Sequence, residues 1–199
     1  SNLIHGPYGA YDPLLNPQNT YSPIESIEFD GLVIIQSTST DLRDMIEVVT
    51  AAGGTFQDFY PDHAAIFSII QGPEGISTIE SLSMEQSVRW AEPFPISWRI
   101  DPSLVDGKRS LLDIDVHLTR NIEPAELKSM EESLLQFTYA PGSDIKCEGR
   151  LCQARSIDSL VIARLLLDGR VMHISEGASI VSHDADSRSI MGLSPISSA

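Results

Sequence analysis

From Gly31 onward the apolar positions change period at regular intervals, and each change marks an element. Leu32-Val33-Ile34-Ile35 is an unbroken apolar run of strand length, which predicts a strand buried on both faces. Leu42, Met45, Ile46 and Val49 then recur at i, i+3, i+4, i+7, the stripe of an amphipathic helix, with Thr40 or Asp41 as its cap and Gly53-Gly54 as its stop. Strands are expected over 55–60 and 64–70, separated by a Pro61-Asp62 turn. Gly72-Pro73-Glu74-Gly75 reads as a break, 76–82 as a short helix and 88–90 as a closing strand.

The same order then recurs, which makes an internal repeat the main architectural signal. Over 111–118, Leu112, Ile114, Val116 and Leu118 alternate with Asp113, Asp115 and His117, the pattern of a half-buried strand. Pro124 suits a first helical position, Leu127, Met130, Leu134 and Phe137 form the stripe of the following helix, and Pro141-Gly142 ends it. A hairpin over 145–147 and 152–156, a helix over 157–167 stopped by Gly169, and a strand over 171–174 complete the set. The expectation is an α+β protein of two tandem ferredoxin-like βαββαβ domains with antiparallel sheets, at 30–92 and 111–177. A Pro/Trp linker at 93–110 joins them. Residues 1–29 form an extended arm, where Pro7, Pro13, Pro17 and Pro23 argue against a helix or an interior strand, and 178–199 form a tail. In such a domain the two helices cover one sheet face and leave the other as an interaction surface.

Composition narrows the partners. With 42% hydrophobic residues and a mean hydropathy of −0.02 the chain can bury a core. Its net charge of −15, from 28 acidic against 13 basic residues with no basic stripe, disfavours nucleic acid as a partner. No run of about 18 apolar residues offers a membrane span, and the start at Ser1-Asn2-Leu3 lacks the pattern of a signal peptide.

Candidate chemistry is sparse. Cys147 and Cys152, with four residues between them, suit a hairpin disulfide, with two free thiols on a turn as the alternative; they are a poor zinc signal. There is no Gly-x-Ser-x-Gly elbow, and His63, His117 and His173 stand in dissimilar contexts that read as surface or packing positions. His183-Asp184-Ala185-Asp186 reads as solvated charge rather than a metal site, and Gly53-Gly54 follows a helix, the reverse of a phosphate-binding loop. No cofactor or metal is therefore expected. Arg89-Trp90 and Trp98-Arg99 bracket Pro93-Phe94-Pro95. This segment reads first as a rigid linker whose aromatics pack the domains together, and second as an exposed recognition site at Arg89, Trp90, Phe94 and Trp98.

The stretch VRWAEPFPISWRIDPSL, Val88 to Leu104, resembles the segment that ends the first propeptide subdomain of large secreted subtilisin-like serine proteases. VMHISE, Val171 to Glu176, followed by SHDADSRSIMG, Ser182 to Gly192, is similar to the strand and tail that lead toward the catalytic domain in that family. His173 stands where the family's strand usually has a tryptophan, and His183-Asp184 where its tail has an Asn-Asp-like element. The resemblance implies a non-catalytic propeptide that helps its protease fold and then blocks the active site, with the subtilisin-like catalytic domain as partner. The family's Asp-x-Gly, His-Gly-Thr and Gly-Thr-Ser-Met catalytic segments are absent from the chain. If the propeptide ends at Ala199, then Ile196, Ser197, Ser198 and Ala199 place an apolar residue ahead of a small last one, as subtilisin-like enzymes generally prefer. Together with a disulfide, the resemblance implies a secreted or extracellular location. Two other classes compete: an exported adhesion or assembly module, and a small-molecule sensor of tandem domains with a pocket between them.

Overall fold

The computed structural model describes residues 2–7, 9–15, 29–105, 109–138 and 144–177. Each half of the chain builds a four-stranded antiparallel sheet. The first runs β3 (Leu32–Ser37), α1 (Arg43–Ala51), β4 (Thr55–Tyr60), β5 (Ala64–Ser68), α2 (Gly72–Leu82) and β6 (Val88–Pro93), following β1 (Ile4–Gly6) and β2 (Gly9–Tyr11) of the arm. The second runs β7 (Leu111–Leu118), α3 (Pro124–Leu135), β8 (Asp144–Glu148), β9 (Leu151–Asp158), α4 (Val161–Leu165) and β10 (Val171–Glu176). The sheet orders are β6-β3-β5-β4 and β10-β7-β9-β8, so in both halves the fourth strand flanks the first, and the third lies between first and second. The protein is thus a mixed α+β chain with antiparallel sheets.

Burial explains the two strand patterns. Leu32 through Ser37 are all buried because α1 and α2 cover one face of β3 while the arm and linker cover the other. On the helical side Val33, Ile35, Ala65 and Phe67 meet Met45, Val49, Ile79 and Leu82. In the second half only one face is apolar: Leu112, Ile114, Val116 and Leu118 pack under Met130 and Leu134 of α3 and Val161 and Leu165 of α4. The alternation of β7 is therefore that of a sheet with one wet face.

Two expectations need correction. Gly72-Pro73-Glu74-Gly75 is not a break but the first turn of α2, where a proline costs nothing because its missing N–H would have no helical partner. The helix expected over 157–167 is only Val161–Leu165, because Ile157 pairs with Leu112 and extends β9 to Asp158. Within the arm, β1 and β2 pair as a hairpin and make a third, two-stranded sheet.

That hairpin and the linker stitch the halves together. Ile4 is fully buried against the helix-free face of the first sheet, and Gly6 lies under the Trp98 indole, where a Cβ would sit 2.6 Å from the ring. From the linker, Phe94 and Trp98 join this first core while Ile100 and Leu104 join the second. The backbone binds as well: Ile174 N–H donates to Arg99 O at 2.7 Å and Asp101 N–H to Ile174 O at 2.8 Å. Gln57 of β4, almost wholly buried, accepts from the Arg120 N–H at 2.7 Å, and the Arg120 guanidinium lies 4.9 Å from the centre of the Phe56 ring.

Candidate functional site

The two helix-free sheet faces have opposite fates. The first is apolar, built on Leu32, Ile34, Ala64, Ile66 and Trp90, and it is filled by Ile4, Phe94, Trp98 and, from β10, Met172. The second is polar and carries Asp115 and His117 of β7, Gln153 and Arg155 of β9, and Ser175 of β10, all exposed or half-buried. Arg155 forms an ion pair with Asp115 at 2.8 Å and donates to the Ile114 carbonyl at 2.8 Å, so this face is organised by charge and hydrogen bonding rather than apolar packing. His117 Nε2 and Ser175 Oγ are 3.3 Å apart across β7 and β10.

Where this face meets the first half, a cleft of about 730 Å³ opens. Its floor is aromatic: Tyr60 stacks on Trp98 at 5.7 Å with the rings 13° from parallel, and Phe94 meets both edge-on. Phe59 stands at its wall, 64% exposed. Its rim is polar, with His117 and His173 from the second sheet, Arg150 from the β8-β9 turn, Asp58 from β4 and His5 from the arm. The His117 and His173 rings have their centres 6.1 Å apart. Burial, then the neighbouring His117, push His173 below the ordinary imidazole value, against the pull of the Trp98 carbonyl and Asp101. Burial, then Asp62, push Tyr60 up to about 12. His5 pairs with Asp62 at 2.5 Å, and Asp58 lies 3.7 Å from Arg120 and 3.9 Å from Arg150.

Of the residues singled out around the linker, Phe94 and Trp98 line the cleft, whereas Arg89 and Trp90 belong to β6 and lie outside its lining. Trp90, Phe94 and Trp98 are all buried, at 5%, 4% and 6% exposure, so they face the protein's own core and the cleft floor. Arg89 donates to Asp12 and to Gln36 Oε1, each at 2.7 Å, and its bond holds the Asp12 carboxyl below the usual carboxylate range. Cys147 and Cys152 face each other across the β8-β9 hairpin and are joined as a disulfide. Ile196, Ser197, Ser198 and Ala199, and the His183-Asp184-Ala185-Asp186 run, lie outside the described residues.

Sequence reasoning took the histidines one at a time, yet the fold brings His5, His117 and His173, three of the chain's five, to one cleft. A signal for part of this was present: the fourth strand of a βαββαβ unit lies beside the first, which places His173 opposite His117. Nothing local in the sequence pointed to His5, Phe59 or Arg150. Among the described residues, no group of three or more His, Cys, Asp or Glu side chains is placed to hold a metal ion, and no helix is long and apolar enough to cross a membrane. No protein-family model and no curated protein sequence matches the chain.

Proposed function

We propose that this chain is the propeptide of a secreted subtilisin-like serine protease, a non-catalytic pair of tandem ferredoxin-like domains that binds and blocks the catalytic domain. The observation that carries the reading is the unequal treatment of the two sheets. The first has its helix-free face filled by the arm and linker, so that it serves as a base. The second presents a polar helix-free face that meets the first half only along one edge, at His117, Met172 and His173, and it delivers the chain, through β10 and Gly177, into the segment 178–199.

In this reading the catalytic domain docks on the face that carries Asp115, His117, Gln153, Arg155 and Ser175. That face is polar, so the contact relies on complementary hydrogen bonds and charge more than on apolar area, and its association rate falls with salt. Binding the native protease in preference to its unfolded chain lowers the free energy of the folded enzyme, which is how such a domain assists folding. The segment after Gly177 then lies in the active-site cleft by strand addition and leaves slowly, as a product does.

The test is inhibition of a panel of subtilisin-like proteases by the full chain, by a version ending at Gly177, and by Gln153→Glu on the polar face. The expected result is tight inhibition by the full chain, at least tenfold weaker without 178–199, with binding weakened again by Q153E. Absence of binding to every protease in the panel, combined with self-association of the chain, would overturn the reading in favour of an adhesion or assembly module.

A further inference from the structure

The cleft between the two halves has a chemistry at odds with the rest of the molecule. The chain carries a net charge of −15, yet among the described residues that line this cavity three imidazoles and a guanidinium stand against one carboxylate, Asp58, with Asp62 behind His5 and Asp101 near His173. Beneath them lies an aromatic floor, with Tyr60, Phe94 and Trp98 already arranged by their mutual ring contacts. Its volume of about 730 Å³ lies within the usual span of small-molecule sites, roughly 300–1,000 Å³.

We propose that this cleft binds a small aromatic anion, with the ring against the Tyr60–Trp98 stack and the acid group at Arg150 and His117. The exposure of Phe59 fits this role, because a large apolar side chain at the wall of a pocket gains area only when something fills it. Arg150 is fixed for the purpose: its Nε donates to the Leu118 carbonyl at 3.1 Å, which leaves the outer edge of the guanidinium turned toward Asp58 at the loose distance of 3.9 Å. An incoming acid group competes for that edge as a shorter, charge-assisted partner.

The site is pH-dependent by construction. His117 faces Ser175 of β10 and pairs in register with Leu151 of β9, while His173 faces the Trp98 carbonyl and Asp101 of the linker. Across the cleft stand Asp58 and Tyr60 of β4, and His5 held by Asp62. Without a ligand, repulsion from the neighbouring His117 ring, its centre 6.1 Å away, disfavours protonation of His173. An anion between them relieves that repulsion, so its binding takes up a proton and strengthens as the pH falls. The inference does not rest on a protease partner.

The experiment compares two fluorescent probes on the full chain, 1-anilinonaphthalene-8-sulfonate and its uncharged parent N-phenyl-1-naphthylamine. Circular dichroism confirms the fold at each pH, and amide chemical-shift mapping locates the probe. The sulfonate is expected to bind saturably at one site, to shift the amides of Phe59, Leu151 and Met172, and to bind about fivefold more tightly at pH 6 than at pH 8, the size of one partly screened charge interaction. His117→Gln and Arg150→Gln should each weaken it about fivefold while leaving the parent compound's affinity unchanged. Equal affinity for the two probes at both pH values, shifts confined to another surface, or no saturable binding would each overturn the proposal.

Discussion

Arg99 is the only charged side chain among the described residues that is buried almost completely, at 1% exposure, and it sits where the linker passes from one core to the other. Its guanidinium pairs with Asp30 just ahead of β3, donates to the Phe94 carbonyl at 2.8 Å and lies 5.4 Å from the centre of the Phe94 ring. Replacing Arg99 by Met keeps the volume but leaves the Asp30 carboxylate, 11% exposed, without its counter-charge. Removing one partner of a buried pair costs about 3–5 kcal/mol, and for a chain of this size each kcal/mol moves Tm by about 2–4 °C. The expected loss is therefore roughly 6–20 °C by differential scanning calorimetry, with a matching fall in the urea midpoint. Most of this loss comes from the stranded carboxylate, so Asp30→Asn in the R99M background should recover at least half of it. An R99M protein within about 1 kcal/mol of the parent, or a double variant no more stable than R99M, would refute the reasoning, because either result would mean that the pair is not shielded from water.

Two further outcomes follow from the same structure. Converting Cys147 and Cys152 to alanine opens a hairpin loop with a sequence separation of 5, and so short a loop should cost about 2 kcal/mol in urea denaturation while both sheets survive in circular dichroism. His173 is held below its free value near 6.5, so its neutral form is favoured by folding; its contribution is complete above about pH 6.5 and is lost as the pH falls toward the depressed value. Unfolding free energy should thus decline between pH 7.5 and 5.5, and His173→Gln should flatten that decline; an identical slope in the variant would assign the pH dependence to other groups.

Where a residue's structure depends on its neighbours in sequence, the chain itself declared it. The apolar run at Leu32, the i, i+3, i+4, i+7 stripe of α1 and the alternation of β7 each read out correctly, because periodicity records which side of an element faces a core. The tight hairpin spacing of Cys147 and Cys152 likewise implied their pairing, since two residues opposite each other on paired strands have Cβ atoms within bridging reach. The misreading of 157–167 fell where pairing partners decide: α4 is short because β9 has a ladder to complete against β7, and the arm, whose local pattern declared no hairpin, folds one where a sheet face receives Ile4.

The sequence by itself therefore determined most of the elements, their repeated order and the mixed α+β class. Tertiary structure alone decided which helix-free face is filled by apolar side chains and which stays polar among the described residues, that Trp90, Phe94 and Trp98 turn inward, and that His5, His117 and His173 share a cleft. The reason is one of range. Hydrophobic period is a local property of a strand or helix, whereas the covering of a face and the gathering of charges from residues 5, 58, 117, 150 and 173 arise only when segments distant in the chain are brought into contact by the burial of both cores.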